Sequence, residues 1–159
     1  IAQIANHNAP GQVVIGLKKD DQEAIEASLE NAEIKFRNLD VEGAFHTGLM
    51  KDAAERLAPY LDQVDFRSPS AKLYLNLTGQ EWDGSGFRPM LVQQMTSTTQ
   101  FAKIFEGLQK DGVTKIIEVG KRNIFKGMLK RIDKSIEVIP VHSVESLEKA
   151  IEKLKENEE

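Results

Sequence analysis

Short β-rich runs alternating with amphipathic helices constrain this chain more than any other feature. Gln12-Val13-Val14-Ile15 reads as a strand entered through a turn at Pro10-Gly11. Asp20 to Ala32 reads as a helix with Ile25, Leu29 and Ala32 on one stripe. Ile34 to Val41, with Phe36 and Leu39 inside it, reads as a strand. A longer helix is predicted over Leu49 to Val64, with Met50, Ala53, Ala54, Leu57 and Leu61 at helical spacing, and Pro59 should kink or break it. Lys72 to Asn76 reads as a strand ended by Thr78-Gly79, and Pro89 suits the first turn of a helix running to Met95. Thr98 is placed to cap a helix that stops at Asp111-Gly112. Then come a strand at Ile116–Val119, a helix at Asn123–Ile132 and a strand at Ile136–Val141. Ser143 caps a final helix, predicted to bury Val144, Leu147, Ile151 and Leu154 and to pair Glu145 with Lys149 at i,i+4.

Such alternation implies an α/β architecture with mostly parallel pairing in the second half. The first forty residues differ: two strands, a helix and a strand in quick succession resemble a ferredoxin-like βαββαβ unit without its first βα. The chain of 159 residues has the size of one domain. Its net charge of -4 argues against nucleic-acid binding by the whole surface. With no cysteine there is no disulfide, thiolate metal site or cysteine nucleophile, and His7, His46 and His142 are too scattered for a metal cluster. No run approaches the ~18 apolar residues of a membrane span, and no signal-peptide pattern opens the chain, so a cytoplasmic location is expected. The start at Ile1, running at once into apolar sequence, leads us to expect a fragment of a longer protein.

Chemistry is best placed at Glu42-Gly43-Ala44-Phe45-His46-Thr47, between a predicted strand and a predicted helix. Ligands of open α/β sheets gather at the carboxyl ends of strands, and histidine is the side chain best suited to proton transfer near neutral pH. A loop histidine without a role is the alternative. None of the eight serines lies in Gly-x-Ser-x-Gly, so a self-contained Ser/His hydrolase is a poor fit. Gly120 to Gly127 opens a helix after a strand and reads either as a phosphate site or as a plain βα turn. Arg122, Lys126 and Lys130 recur every four residues, on one helix face. That stripe suits either an acidic partner or simple solvation near a helix end. Met90, Met95 and Met128 read as core filling.

Asn6-His7-Asn8-Ala9-Pro10-Gly11-Gln12-Val13-Val14-Ile15 resembles a run in the bacterial malonyl-CoA:acyl-carrier-protein transacylases. Gly43-Ala44-Phe45-His46 resembles that family's catalytic-histidine motif, and Leu49-Met50-Lys51 follows as expected. Asn76-Leu77-Thr78-Gly79, Leu91-Val92-Gln93-Gln94-Met95-Thr96-Ser97, Ile117-Glu118-Val119-Gly120 and Leu129-Lys130-Arg131-Ile132 then come in family order. The resemblance spans essentially the whole chain and is to the C-terminal half of such an enzyme.

It implies an α/β-hydrolase-like acyltransferase domain with an incomplete ferredoxin-like subdomain, divided as residues 1–42 (small subdomain) and 43–159 (large). It further implies ping-pong malonyl transfer from coenzyme A to the phosphopantetheine thiol of acyl carrier protein, without a cofactor or metal. His46 takes the base role, and Phe45 matches a position that goes with malonyl over methylmalonyl. Gln94 matches a residue beside the histidine, where a main-chain carbonyl can fix the tautomer, and Asn8 and Asn76 match residues near the cleft. Arg122, Lys126 and Lys130 are the expected carrier-protein contact. In the family the nucleophilic serine, the arginine for the malonyl carboxylate and the oxyanion loop belong to the N-terminal half, so the resemblance implies that this chain alone is inactive, with that half on a second chain or lost. The alternatives are an inactive fragment or carrier-protein-binding module, and the acyltransferase region of a polyketide synthase. Three departures stand out: Lys121-Arg122-Asn123 for the family's Pro-Gly-Lys, Gly16-Leu17 for Ser-Gly, and Thr47 for a common serine.

Overall fold

A computed structural model describes residues 2–155. The chain opens on an antiparallel hairpin of β1 (Gln3–Ala9) and β2 (Gln12–Gly16), which pairs Ile4 with Ile15 and His7 with Val13. Gly11 closes the turn at φ +70°, a conformation open to glycine at little cost. The second edge of β1 is occupied by the segment around Thr99. His7 N–H donates to the Thr99 carbonyl (2.8 Å), and Thr99 N–H donates to that of Ala5 (3.0 Å). Thr98 is therefore not a helix cap; its hydroxyl donates to the Ile4 carbonyl at 2.6 Å.

Helix α1 (Gln22–Asn31) falls inside the predicted span and buries no residue fully. Helix α2 (Lys51–Leu61) carries the predicted stripe, with Ala54 buried. It runs through Pro59 and ends two residues later, so the proline's missing N–H falls in the last turn rather than breaking the middle. Helix α3 (Phe87–Gln93) follows, and its Arg88 satisfies carbonyls at the exit of α2. The guanidinium donates to Leu61 O (2.7 Å) and Val64 O (2.8 Å). It also lies 5.4 Å from the centroid of the Phe66 ring, so one side chain supplies the cap that the helix end lacks.

Two predicted strands are corrected. Ile34 to Val41 is not a strand: it has no ladder partner among the described residues, and Ile34, Leu39 and Val41 are about half exposed. Lys72 to Asn76 is reduced to one antiparallel bridge, Tyr74 to Glu81. The first has strand-forming composition but no edge to pair with among the described residues, and the second has a partner only across a tight turn; β propensity without an extended edge is weak.

Helix α4 (Phe101–Lys110) contains the boundary between two compact units, Ile1–Ile104 and Phe105–Glu159. As predicted, Gly112 ends its run in the left-handed conformation, φ +75°. In the second unit β3 (Lys115–Val119) pairs in parallel with β4 (Glu137–Val141), and α5 (Ile124–Ile132) makes the crossover. Phe105, Met128, Leu129, Ile136 and Ile139 form its core, and Phe105 meets Phe125 edge-on at 5.7 Å. The final helix α6 (Val144–Lys155) is capped by Ser143, as predicted, and carries the predicted Glu145–Lys149 pair. Its buried face is corrected. Ala150 is buried, whereas Val144, Leu147 and Ile151 are exposed.

Candidate functional site

His46 sits where local sequence and distant backbone both fix it. Its φ is +64°, a conformation uncommon outside glycine but visited by histidine more than by most residues. Its N–H donates to the Met95 carbonyl (3.0 Å). On its C-terminal side Thr47 is almost fully buried and donates its hydroxyl to the Ala44 carbonyl (2.7 Å). Gly48 N–H donates to Gln3 Oε1 at 2.8 Å, tying the loop to β1. A backbone in this region costs about 1–3 kcal/mol and persists only where its surroundings over-determine it, which these bonds do.

The imidazole is oriented too. Nδ1 lies 2.8 Å from the main-chain oxygen of Gln94, in the 3-10 turn that follows α3. A carbonyl oxygen can only accept, so Nδ1 carries the hydrogen, and in the neutral ring Nε2 is left as the acceptor. It is the carbonyl of Gln94, not its side chain, that makes this contact.

Small residues make the loop possible. An added Cβ at Gly43 would meet the Phe45 ring at 2.8 Å, so the half-exposed ring folds back over the glycine. At Gly16 an added Cβ would lie 2.8 Å from Thr47 Cγ2 and 3.1 Å from Ala44 Cβ, so the end of β2 packs directly under the histidine loop.

The other predicted residues are distributed. Asn8 is buried on β1, and its Oδ1 has no hydrogen-bond partner, as is also true of Gln12 Oε1 across the hairpin turn. Asn76 offers its carbonyl to Gln100 N–H (2.7 Å) at the start of α4. The turn after it depends on Gly79, at φ +72°, where a Cβ would stand 2.5 Å from Lys103 Cβ. Lys126 and Lys130 are exposed on α5, but Arg122 precedes the helix, so the predicted three-residue stripe on one helix face is corrected to two. With Lys134 they line one side of a groove of about 1250 Å³ along the outer edge of β4, and Lys149 and Lys153 of α6 line the other.

Of the two readings of Gly120–Gly127, the structure supports the plain βα turn. The buried Glu118 carboxylate accepts from the Ile124 and Phe125 N–H groups, so the first turn of α5 already holds an anion from its own strand. Sequence reasoning missed Glu118, Thr47, Gln3 and the Met95 carbonyl. A strand glutamate six residues before a helix start was a legible signal for the first, whereas the others act through contacts that no local pattern reports.

No protein-family model matches the chain. The fold class is α/β, and over nearly its whole length it has transacylase relatives. It is 34% identical over 158 residues to the malonyl CoA-acyl carrier protein transacylase of Bacillus subtilis, covering 98% of this chain and 50% of the relative. The crystal structure of the Clostridium perfringens enzyme superposes with a TM-score of 0.90 at 28% identity, covering 99% of this chain and 50% of that one. A malonyl-transacylase in complex with its type II PKS acyl-carrier protein matches at a TM-score of 0.86 and 29% identity, over 96% of this chain and 50% of that one. The chain is thus a homologue of the malonyl-CoA:acyl-carrier-protein transacylases, matching their C-terminal half and spanning about half the length of the curated relatives. Among the described residues no helix is long and apolar enough to cross a membrane.

Proposed function

We propose that this chain supplies the proton-transfer half of a malonyl-CoA:acyl-carrier-protein transacylase. The nucleophilic serine would come from the part of the family fold that the chain does not span. The observation that carries the reading is the 2.8 Å contact between His46 Nδ1 and the Gln94 carbonyl. It leaves Nε2 free to accept a proton, the arrangement a serine hydroxyl needs in a general base. In the first half-reaction the serine oxygen attacks the malonyl thioester carbon while Nε2 takes its proton. The carbon–sulfur bond then breaks, and the imidazolium returns the proton to the departing coenzyme A thiolate. In the second, the phosphopantetheine thiol of the carrier protein gives its proton to Nε2 and its sulfur attacks the acyl-serine carbon; the carbon–oxygen bond breaks and the imidazolium returns the proton to the serine oxygen. No cofactor or metal enters this scheme.

Phe45 would flank the malonyl α-carbon, and its ring leaves little room for a branch there. Asn8 and Asn76 are assigned to the cleft. The division into a small subdomain, residues 1–42, and a large acyltransferase subdomain, residues 43–159, is part of the same proposal. The test is transfer assayed with the complementary half supplied. His46→Ala should lower the rate by about 10²–10⁴-fold, the usual worth of a general base, and near-normal turnover would remove His46 from the mechanism.

A second reading is favoured by the exposed Lys126 and Lys130, namely that the chain docks an acidic carrier protein without performing chemistry. Binding should then weaken with salt and vanish in Lys126→Glu/Lys130→Glu. Binding insensitive to both would exclude it.

A further inference from the structure

Two consecutive carbonyls receive the hydrogens of His46. The ring Nδ1–H goes to Gln94 O and the main-chain N–H to Met95 O. The histidine is therefore only as well placed as the 3-10 turn Gln94–Thr96 that presents them. That turn continues from α3, and α3 has little of its own to hold it. It is seven residues long, opens on Gly86 without a side-chain cap and buries no residue fully. Isolated helices shorter than roughly 12–15 residues are marginal in water, so α3 depends on its neighbours.

Between α2 and the turn the packing is open: Ala53, Arg56, Leu57 and Tyr60 of α2 line a cavity of about 400 Å³ with Met95. The far end of the same helical hairpin is closed instead. Arg88, the second residue of α3, donates from Nε to Leu61 O (2.7 Å) and from Nη2 to Val64 O (2.8 Å). A planar guanidinium fork reaches both carbonyls at once, which the point charge of a lysine does not. Phe66, whose ring faces the guanidinium, meets Phe87 edge-on at 5.3 Å, and Trp82 stands 5.2 Å from Phe87. The exposed Asp62 carboxylate, 3.8 Å from Nε, adds little.

The supports thus close a circuit. His46 leads through Thr47 and Gly48 into α2, Arg88 pins the exit of α2 to α3, and α3 returns Gln94 and Met95 to His46. From Arg88 to Gln94 is about 9 Å along a helix rising 1.5 Å per residue. A tilt of α3 released at Arg88 moves the Gln94 carbonyl through that lever, and a hydrogen bond weakens steeply as its alignment is lost. We infer that Arg88 is a positioning residue for His46: by pinning α3 to the exit of α2 it sets the Gln94 carbonyl that keeps the imidazole in its Nδ1–H form. Only the consequence for catalysis rests on the transacylase reading.

The test is nitrogen NMR of the chain labelled at its histidine rings, at a pH where they are neutral and a temperature below the melting of each variant. The unmodified chain should show His46 as the Nδ1–H form. In Arg88→Met a signal from the Nε2–H form should appear at His46, with His7 and His142 unchanged. With the complementary half supplied, kcat should fall about 10–100-fold and KM for malonyl-CoA change little, as for a small misplacement of a catalytic group. Arg88→Lys keeps the charge and one donor, so it should be intermediate, and it carries the test if Arg88→Met does not fold. An unchanged His46 signal, whatever the melting temperature, would make Arg88 merely structural and overturn the inference. Full recovery with lysine would overturn it too, since the fork would have no part. A changed His46 signal, where even the unmodified pair shows no transfer, would sustain the inference and count against the transacylase chemistry instead.

Discussion

Ile34–Val41 and the loop around His46 are separated by four residues and differ completely in how the chain supports them. Around His46 the backbone is held by Met95, Gln3 and Ala44, and the ring by Gln94. In Ile34–Val41 the main-chain bonds are local, Ile34 to Leu29 and Val41 to Leu39, and the apolar side chains stand in solvent. The chain thus carries its own supports for the residue proposed for proton transfer, while Ile34–Val41 finds no edge to pair with among the described residues. A strand is a property of a pair, whereas an oriented loop can be completed within one chain.

The largest effect should come from removing the ring while keeping the loop. Asparagine tolerates the left-handed backbone that His46 adopts. His46→Asn should therefore leave the melting temperature nearly unchanged and lower transfer in the assembled pair by about 10²–10⁴-fold. A large drop in melting temperature would show the ring to be structural.

The packing beneath the loop comes next. Gly16→Ala drives a methyl into Thr47 Cγ2 and Ala44, an overpacking that should cost about 1–3 kcal/mol in denaturant titration. Adding Thr47→Ser deletes Cγ2 and keeps the hydroxyl bond to Ala44, so the double variant should recover part of that loss. Additive losses would mean that the two sites do not couple. This pair also gives a physical reading of two departures from the family pattern. Gly16 leaves open the space that the methyl of Thr47 fills.

Smaller still is the effect expected in the unsupported segment. Phe36→Ser should change the stability of the isolated chain by no more than about 0.5 kcal/mol, as for surface substitutions elsewhere, and weaken its association with the complementary half. A loss of several kcal/mol in the isolated chain would show that the segment already packs.

The smallest effect is one of pH. Ser135 hydroxyl and amide, and then Gln109, donate to Asp133 and hold its carboxyl below the ordinary range. Because the folded pKa is the lower one, this contribution is present above the ordinary carboxylate pKa and fades as pH falls through the lowered value. Asp133→Asn should flatten that part of the acid-side stability profile. An unchanged profile would remove Asp133 from the account.

Much of the second half was legible in the sequence. Strand, helix, strand and helix from Ile116 onward lie close to where periodicity put them, because β3 and β4 find each other within the chain. The stripe of α6 was legible as a pattern, but its burial was not. Val144, Leu147 and Ile151 have the spacing of a core face and are exposed. His46 was singled out by its motif, and a main-chain carbonyl beside it was expected near Gln94. Thr47 under Gly16 and the Gln3 anchor were invisible, since each joins positions thirty or more residues apart.

The most direct test is denaturing intact-mass spectrometry of the co-expressed pair after brief incubation with malonyl-CoA. A malonyl adduct on the complementary chain, absent over the same interval with His46→Asn, is the predicted result. An adduct on this chain itself, or one that forms equally fast without the imidazole, would contradict the role given to His46.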